Sequence, residues 1–337
     1  MHAAPAAIPA EFTALRTHSS EGRTESRVER LRLEDLSDGE VVIRTRYAGV
    51  NYKDCLSLYG QAKIITRFPR IAGIELVGQV VRSTAPDFSS GQAVLVHGFQ
   101  TGIAFDGGFS ELVRVPAGHV HPLPEGLTAY ETAVLGVPGF TAAMSLERFE
   151  ELGVTPRSGP VAVSGAGGAV GITAIGILTR AGYAVTAITR RMEQAPGLRA
   201  AGAAEVVDAG LLAQPQRPLE KARFAAAIDN VGGAMLSWLL RSMQEGGCVA
   251  CVGNAGGNTY EGSVLPFIMR RVQLFGIVAN APWPQRRRLW ARLASDWKPD
   301  FSRVAPHVSS IRLDELMAHA ARQLEGKTAG RVLVEFG

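Results

Sequence analysis

Residues 161–171, VAVSGAGGAVG, place a short apolar run in front of a cluster of glycines, and the apolar stretch ITAIGILTRAG follows at residues 172–182. The apolar run predicts a buried strand, the glycines a tight turn, and the stretch after them a helix. Glycines allow a backbone to approach a pyrophosphate closely, and the first amides of a helix are free to bind the anion. Val170 stands where the third glycine of G-x-G-x-x-G would fall. The prediction of a dinucleotide site therefore depends on the strand before the turn and the helix after it.

The end of the next predicted strand, residues 184–188, indicates which dinucleotide is bound. Proteins that bind NAD place a carboxylate here for the ribose 2′-hydroxyl, whereas a 2′-phosphate is bound by cations or hydroxyls. Thr189, Arg190 and Arg191 follow this strand, and the first carboxylate after it is Glu193. Because two guanidinium groups can bind a 2′-phosphate through paired hydrogen bonds, the sequence favours NADPH over NADH. The alternative is that both arginines are solvated turn residues.

The two parts of the chain differ in pattern. The first third is β-rich, with short apolar runs at residues 41–43, 76–81, 93–96 and 112–115. Strands alternate with helical stretches later, which predicts an α/β fold with a doubly wound parallel sheet. Its strands are expected at residues 161–164, 184–188, 205–207, 225–229, 248–252 and 273–277. The loops DNVGG and GNAGG, which follow two of these strands, are expected to line the ligand crevice.

A chain of 337 residues is long enough for two domains. We expect a β-rich domain formed by residues 1–134 and 285–337, and a nucleotide-binding domain formed by residues 135–284. After residue 285 the pattern predicts helices at 286–295 and 313–324 and a final strand at 331–336.

Composition excludes several classes of protein. The net charge is +4, from 35 Lys and Arg against 31 Asp and Glu, and it is spread along the chain, which argues against a nucleic-acid partner. Three cysteines cannot form a four-thiolate zinc lobe, and an odd number argues against a disulfide framework. The N-terminal MHAAPAAIPAEF predicts a loose extension without a secretory signal, and glycines interrupt the uncharged stretch 161–179. We therefore expect a cytoplasmic protein with no membrane partner.

Several motifs carry a family resemblance. The sequences GVNYKD (49–54) and GFTA (139–142), together with the glycine turn, resemble the medium-chain dehydrogenase/reductase superfamily. The chain is most similar to the zinc-free, quinone-oxidoreductase-like branch that contains the NADPH-dependent acrylyl-CoA reductases. The resemblance implies a Rossmann domain for NADPH, a GroES-like catalytic domain and reduction of acrylyl-CoA to propionyl-CoA. It is carried by NYKDCLSLYGQAKIITRFPRIAGIELVGQV, SGAGGAVG, GGCVACVGNAGG, LPFIMRRVQLFGI and GRVLV, at residues 51–80, 164–171, 246–257, 265–277 and 330–334.

The residues that bind catalytic zinc in other members of the superfamily are missing. Ile74 stands at the histidine of Gly-His-Glu, and Asn51 occupies the usual cysteine region. Cys55 is interpreted as a buried apolar residue, and His119 and His121 lack a third ligand nearby. No metal is therefore expected. Without zinc to polarise a carbonyl, reduction of an activated C=C bond is the natural alternative to alcohol oxidation.

In that reaction the nicotinamide hydride adds to the β-carbon of an enoyl thioester or enone, and a proton reaches the α-carbon. The protein has to bind the enolate oxygen and supply or relay the proton. Tyr52 is the candidate donor and Tyr59 a weaker one; the competing interpretation is that Tyr52 only packs beneath the cofactor. Lys53 and Asp54 are also candidate catalytic residues, or they form an ion pair that shapes the cleft.

The resemblance also implies a cofactor-binding set. Its members are Asn51, Tyr52, Thr141, Gly165, Ala166, Gly168, Gly171, Ile172, Thr189, Arg190, Arg191, Asn230, Val231, Gly253, Asn254, Ile268 and Ala279. The phosphates of a CoA substrate need cations near the mouth of the cleft. The candidates are Lys63, Arg67 and Arg70, with a second cluster at residues 286–288; the alternative is that these charges form a solvated face.

Four positions depart from the family pattern. Ala72 stands where proline is usual, Glu75 replaces aspartate, Pro138 interrupts the bridge motif and Ala169 takes a glycine position. The first two border the expected substrate cleft, so a quinone or 2-alkenal reductase is kept as an alternative. A second alternative is a non-catalytic NADPH-binding sensor. The apolar segment 264–277 predicts a homodimer.

Overall fold

The computed structural model describes residues 8–213 and 217–337. Residues 1–7, the start of the expected N-terminal extension, lie outside the described residues. The chain forms two units: the first runs to Val137 and resumes at Val308, and the second runs from Pro138 to His307.

The first unit begins with β-strands and one short helix. Its initial elements are β1 (Phe12–Ser20), β2 (Arg23–Leu31), β3 (Val41–Val50), α1 (Tyr52–Leu58), β4 (Arg70–Ile71), β5 (Glu75–Ser83), β6 (Ala93–His97), β7 (Leu112–Val115) and β8 (Val120–Pro122). The four β-rich runs of the sequence coincide with β3, β5, β6 and β7. Their alternate apolar residues form a fully buried cluster that includes Ile43, Val94 and Val113.

Helix α2 (Ala129–Glu151) contains the point at which the chain leaves the first unit. The helix is interrupted at Gly136, whose φ of 42° and ψ of −145° are not helical. Glycine adopts such a conformation without the strain of a side chain. Pro138 follows within the same helix and lacks an amide hydrogen, which also favours a break here.

The second unit is a parallel sheet with helical connections. Its remaining elements are β9 (Val161–Ser164), α3 (Ala169–Arg180), β10 (Val185–Thr189), α4 (Ala195–Ala200), β11 (Glu205–Asp208), β12 (Phe224–Asp229), α5 (Gly233–Ser242), β13 (Met243–Cys251), α6 (Leu265–Arg270), β14 (Gln273–Gly276), α7 (Trp283–Leu293) and α8 (Phe301–Val304). The strand order is β11-β10-β9-β12-β13-β14, with every neighbouring pair parallel. The order reverses between β9 and β12, where open α/β sheets bind their ligands. The predicted doubly wound fold is confirmed.

The chain then returns to the first unit as β15 (Val308–Ile311), α9 (Leu316–Leu324) and β16 (Arg331–Glu335). These strands extend a seven-stranded sheet in the order β15-β16-β3-β5-β6-β8, with β7 paired to β3, while β2-β1-β4 form a smaller sheet. No helix in the described ranges has the length and apolar character needed to cross a bilayer.

The return falls at Val308, not at residue 285 as expected, because α7 packs within the second unit. Leu289, Trp290 and Leu293 of this helix are fully buried. Trp290 also stacks on Phe140, with ring centroids 6.0 Å apart. Because α7 is amphipathic and follows the last strand of the parallel sheet, the sequence alone does not show which unit its apolar face packs against.

Candidate functional site

The glycine turn after β9 leaves its backbone accessible. Gly165 has a φ of 58°, in the left-handed region, and its carbonyl accepts the Gly168 amide at 3.0 Å. Gly168 caps α3 without a side-chain hydrogen bond. A Cβ placed on Gly168 would touch only the Gly165 carbonyl oxygen, at 3.4 Å. The turn therefore offers open space to a ligand at the start of the helix.

The first turn of α3 supplies amide hydrogens to that space. The first helical hydrogen bond is donated by Ile172 to Gly168, so the three preceding amides have no acceptor in the helix. Gly171 is the third glycine that the turn requires, because a Cβ there would clash with the Ala166 carbonyl. It lies one residue after the position expected from G-x-G-x-x-G. Such a helix N-terminus is suited to bind a phosphate group.

The end of β10 carries two cations and no carboxylate. Arg190 is exposed and Arg191 is half-buried. The Arg191 amide donates to Thr189 Oγ1 at 3.1 Å, which fixes the turn. These side chains lie where the sequence predicted the ribose site of a dinucleotide.

A buried carboxylate organises the end of β12. Asp229 is fully buried and accepts hydrogen bonds from Ser164 Oγ at 2.6 Å, from the Val231 amide at 3.1 Å and from the Gly232 amide at 2.9 Å. Burial raises the pKa of this carboxyl above its ordinary value. The sequence predicts Asp229 only as the first residue of a loop that lines the ligand crevice, without a role for its carboxylate. This carboxylate holds the loop that presents Asn230.

Asn230 leaves one polar atom for a ligand. Its Nδ2 donates to the Ser164 carbonyl at 2.7 Å, whereas its buried Oδ1 has no donor among the described residues. Leaving a buried acceptor unpaired is unfavourable unless a ligand or water fills it. A Cβ on Gly253 would contact the Asn230 carbonyl oxygen at 2.5 Å, so Gly253 allows the two loops to meet.

The other predicted cofactor residues differ in exposure. Ala166 and Ile172 are fully buried. Thr141 is also buried, Ile268 is 68% exposed, and Val231 and Ala279 are half-buried while Asn254 is exposed. Their predicted contacts with the cofactor stay predictions.

In the first unit, α1 presents Tyr52. This tyrosine is the first residue of the helix and is 37% exposed. Asn51 and Asp54 form a capping box, in which the Asn51 amide donates to Asp54 Oδ2 at 3.0 Å. The Ile74 amide donates to the other oxygen, Oδ1, at 3.0 Å. Burial raises the pKa of Asp54 to about 7.

The predicted ion pair between Lys53 and Asp54 is not formed. Asp54 is 1% exposed and faces the interior, whereas Lys53 is exposed. Consecutive helical residues point in different directions, so neighbours in sequence do not meet on one helix face.

Glu75, which the sequence places at the border of the substrate cleft, holds Asn51 and is itself paired with Arg331, a residue not predicted for the site. Glu75 Oε1 accepts from Asn51 Nδ2 at 2.7 Å and from Arg331 Nη2 at 2.9 Å, and Glu75 Oε2 accepts from the Val137 amide at 2.7 Å. Arg331 is fully buried and also donates to the Ala133 carbonyl at 2.8 Å. Asn51 thus joins two buried carboxylates at the start of α1.

Arg70 is not available for a substrate phosphate, so that prediction is wrong. Its guanidinium pairs with buried Asp106 at 3.0 Å and donates to Ser37 Oγ at 2.6 Å. These contacts bind the β4 strand to a neighbouring loop. Lys63 and Arg67 remain exposed.

The second predicted cluster, at residues 286–288, is also mostly engaged. Arg286 is 1% exposed and lies over the rings of Phe140 and Trp283, 5.4 and 5.7 Å from their centroids. Burial lowers the pKa of Arg286 to about 10. Arg288 pairs with Glu147 at 2.9 Å.

The residues present do not fit a zinc ion. Within residues 8–213 and 217–337 no three His, Cys, Asp or Glu side chains are grouped to hold a metal. Cys55 is buried, its thiol donates to Gln323 Oε1 at 3.4 Å, and burial raises its pKa to about 12. His119 stacks on Phe99, with centroids 4.9 Å apart. The weaker proton-donor candidate, Tyr59, donates its hydroxyl to the Met317 carbonyl at 3.0 Å.

Two family models match the chain. The model described as "Alcohol dehydrogenase GroES-like domain" matches residues 37–125, and "Zinc-binding dehydrogenase" matches residues 169–295. The second description refers to a metal for which the described part of the chain has no group of ligands.

Full-length relatives are also similar. The acrylyl-CoA reductase AcuI of Ruegeria pomeroyi is 38% identical over 93% of this chain and 95% of its own length. The putative quinone oxidoreductase YhfP of Bacillus subtilis is 37% identical over 96% of this chain and 99% of its own length. The crystal structure of B. subtilis yhfP with NAD bound covers 97% of this chain and all of that chain. Its TM-score is 0.91 and its sequence identity is 36%. The structure of the yhdH oxidoreductase from Salmonella enterica in complex with NADP matches 96% of this chain and all of that chain, with a TM-score of 0.91 and 36% identity.

Proposed function

The chain belongs to the quinone-oxidoreductase-like branch of the medium-chain dehydrogenase/reductase superfamily, and we propose that it reduces acrylyl-CoA to propionyl-CoA with NADPH and without zinc. The similarity to an acrylyl-CoA reductase over nearly the whole chain supports the substrate. The observation that carries the reaction type is Asn51, whose amide binds Glu75 and Asp54 in the region where zinc-dependent relatives have a ligand. Such a site works without a Lewis acid.

The second unit provides the features that fit NADPH. The open turn at Gly168 and the amides of α3 suit the pyrophosphate. The unpaired Oδ1 of Asn230 accepts a hydrogen bond from the cofactor, and Arg190 and Arg191 bind the 2′-phosphate. When bound, NADPH supplies the hydride that adds to the β-carbon of the substrate.

The first unit supplies the proton and the hydrogen bond to the developing enolate. The Tyr52 hydroxyl, partly exposed at the start of α1, donates to the thioester oxygen and delivers or relays a proton to the α-carbon. Acrylyl-CoA, NADPH and one proton thereby give propionyl-CoA and NADP⁺. Asn51, Glu75 and Arg331 fix the start of the helix that carries this tyrosine. Asp54 is a positioning residue, because its oxygens are bound by Asn51 and Ile74.

Lys63 and Arg67 are the exposed cations proposed for the CoA phosphates. A quinone or 2-alkenal reductase is the second candidate. Arg70 is largely buried, Arg286 is buried, and both are engaged in contacts within the protein. Fewer cations are therefore left to bind the phosphates of a CoA substrate, which favours the second candidate.

We also propose a cytoplasmic homodimer. One stretch of the second unit, residues 264–278, contains five exposed apolar side chains: Val264, Phe267, Ile268, Met269 and Val278. Clusters of exposed apolar residues are typical of protein interfaces. Strand β14, in the same stretch, is an edge strand, since in the described residues it pairs only with β13.

The decisive experiment follows NADPH absorbance after acrylyl-CoA is added to the purified full-length protein, with NADH, a simple quinone and an enal in parallel reactions. Rapid oxidation of NADPH with the thioester, and little with the quinone, is expected. Turnover of only the quinone or enal would identify the second candidate. NADPH binding without turnover of any of these compounds would indicate a sensor.

A further inference from the structure

Gln194 lies between the two parts of the cofactor site in the second unit. It ends a single 3-10 turn, Met192–Gln194, that follows β10. A Cβ on Gly167, in the glycine turn, would clash with Gln194 Oε1. Thr189 Oγ1, at the end of β10, lies 3.5 Å from the same oxygen. The amide therefore spans the gap between the glycine turn and the end of β10.

That gap is where a dinucleotide places its adenosine ribose. The pyrophosphate binds at the start of the first helix and the ribose at the end of the second strand, so the ribose lies between them. The contact between Thr189 and Gln194 is at the long limit of a hydrogen bond and holds the amide weakly. Nε2 of Gln194 has no acceptor among the described residues. The amide can therefore present either its carbonyl or its NH₂ group to the ribose.

We propose that Gln194 is a cofactor-specificity residue whose NH₂ group donates to the 2′-phosphate of NADPH beside Arg190 and Arg191; this inference rests on the proposed function. A hydrogen bond to a charged phosphate is stronger than one to a neutral hydroxyl. The same amide accepts a hydrogen bond from the 2′-hydroxyl of NADH through Oε1. It thus adds selectivity for NADPH without excluding NADH.

The test measures the Kd of NADPH and of NADH for the full-length protein by calorimetric titration at one fixed salt concentration, without substrate. Gln194→Ala is expected to weaken NADPH about tenfold, the loss typical of one hydrogen bond to a charged group. NADH binding is expected to change by less than about threefold, because a bond to a neutral hydroxyl contributes less. Gln194→Glu is expected to weaken NADPH further, since its carboxylate repels the phosphate, and to leave NADH binding unchanged or tighter.

Ala200→Glu is the matched control. It adds the same charge at an exposed position at the end of α4, the helix that Gln194 precedes. It should leave the ratio of the two Kd values unchanged. Equal weakening of NADPH and NADH binding by Gln194→Glu would overturn the inference and leave the proposed function standing. The same change in the ratio of the two Kd values in Ala200→Glu would do so too. No binding of either cofactor by the unsubstituted protein would overturn the proposed function and the inference with it.

Discussion

At the scale of single residues, Tyr52 is the group whose chemistry is most directly testable. Tyr52→Phe removes only the hydroxyl, and the partly exposed ring remains at the start of α1. We expect kcat with acrylyl-CoA to fall about 100-fold, because both the proton and the hydrogen bond to the enolate are lost. The KM and the Kd of NADPH should change little. An unchanged kcat would assign Tyr52 a packing role.

Glu75 gives a prediction about stability. Glu75→Ala leaves the guanidinium of Arg331, which is fully buried, without its carboxylate. Removing one partner of a buried pair typically costs about 3–5 kcal/mol of unfolding free energy. Urea unfolding of the two proteins measures this loss.

The control for that loss is Glu245→Ala. Glu245 pairs with Arg271 at 2.8 Å, but both side chains are mostly exposed, at 70% and 76%. Exposed pairs contribute little to stability, so the urea midpoint should hardly move. Similar shifts in the two variants would show that the buried pair is not a major source of stability.

The difference between local and long-range contacts explains which candidate site residues a single sequence can propose. Tyr52, the glycines and Arg190 lie in motifs where neighbouring residues carry the signal. Glu75 and Arg331 are 256 residues apart, and nothing in either segment shows that they pair. The roles of Gln194 and of the Asp229 carboxylate are not predicted, because they depend on contacts between loops that meet only in the folded sheet. Arg70 was misinterpreted because an arginine looks the same in sequence whether it is solvated or buried against Asp106.

At the scale of elements, the capping box of α1 predicts a pH dependence. Burial raises the pKa of Asp54 from 3.8 to about 7, whereas in the unfolded chain it is near its ordinary value. Between about pH 4 and about pH 7 the folded state therefore binds the extra proton, and the contribution of Asp54 to stability is lost as the pH rises through this range. Asp54→Asn should flatten this part of the stability profile. Thermal unfolding of both proteins across the range tests the sign; parallel profiles would contradict it.

Two glycines at the start of α3 are predicted to have different roles: Gly171 in stability and Gly168 in cofactor binding. Gly171→Ala forces a Cβ against the Ala166 carbonyl and should lower the melting temperature. Gly168→Ala meets only ordinary contact with Gly165, so stability should be retained while the Kd of NADPH rises about tenfold or more as the phosphate is kept away. Thermal unfolding and cofactor titration of both variants distinguish the two effects. Loss of stability in Gly168→Ala would contradict this division.

Strand positions were largely predictable because apolar runs and turn residues are local signals. The main difference is β13, which begins at Met243, not at residue 248. Gly246 and Gly247 lie within this strand, which continues through them with a register shift opposite Phe224 and Ala226. Irregularities of this kind depend on the partner strand, which a single sequence does not show.

At the scale of the whole molecule, the two-unit organisation was visible in the change from β-rich pattern to strand-helix alternation. The boundary at residue 285 was not, because α7 is charged on one face and apolar on the other. Which sheet its apolar face covers is decided by partners such as Phe140, far away in sequence.

Assembly is the last prediction at this scale. Strand β14 has an unpaired edge in the described residues, and exposed apolar side chains surround it, among them Met269 at 62% and Val278 at 74% exposure. We expect a dimer at micromolar concentration by light scattering coupled to gel filtration.

Met269→Asp and Val278→Asp should each yield monomer, because an unpaired carboxylate buried in an apolar interface is strongly unfavourable. Val28→Asp makes the same change at a 45% exposed residue of β2, in the other unit, and should leave the dimer intact. If the unsubstituted protein is a monomer, there is no dimer interface. If only Val28→Asp dissociates, the interface lies elsewhere. Monomeric variants that still bind NADPH would show that the cofactor site is complete within one chain.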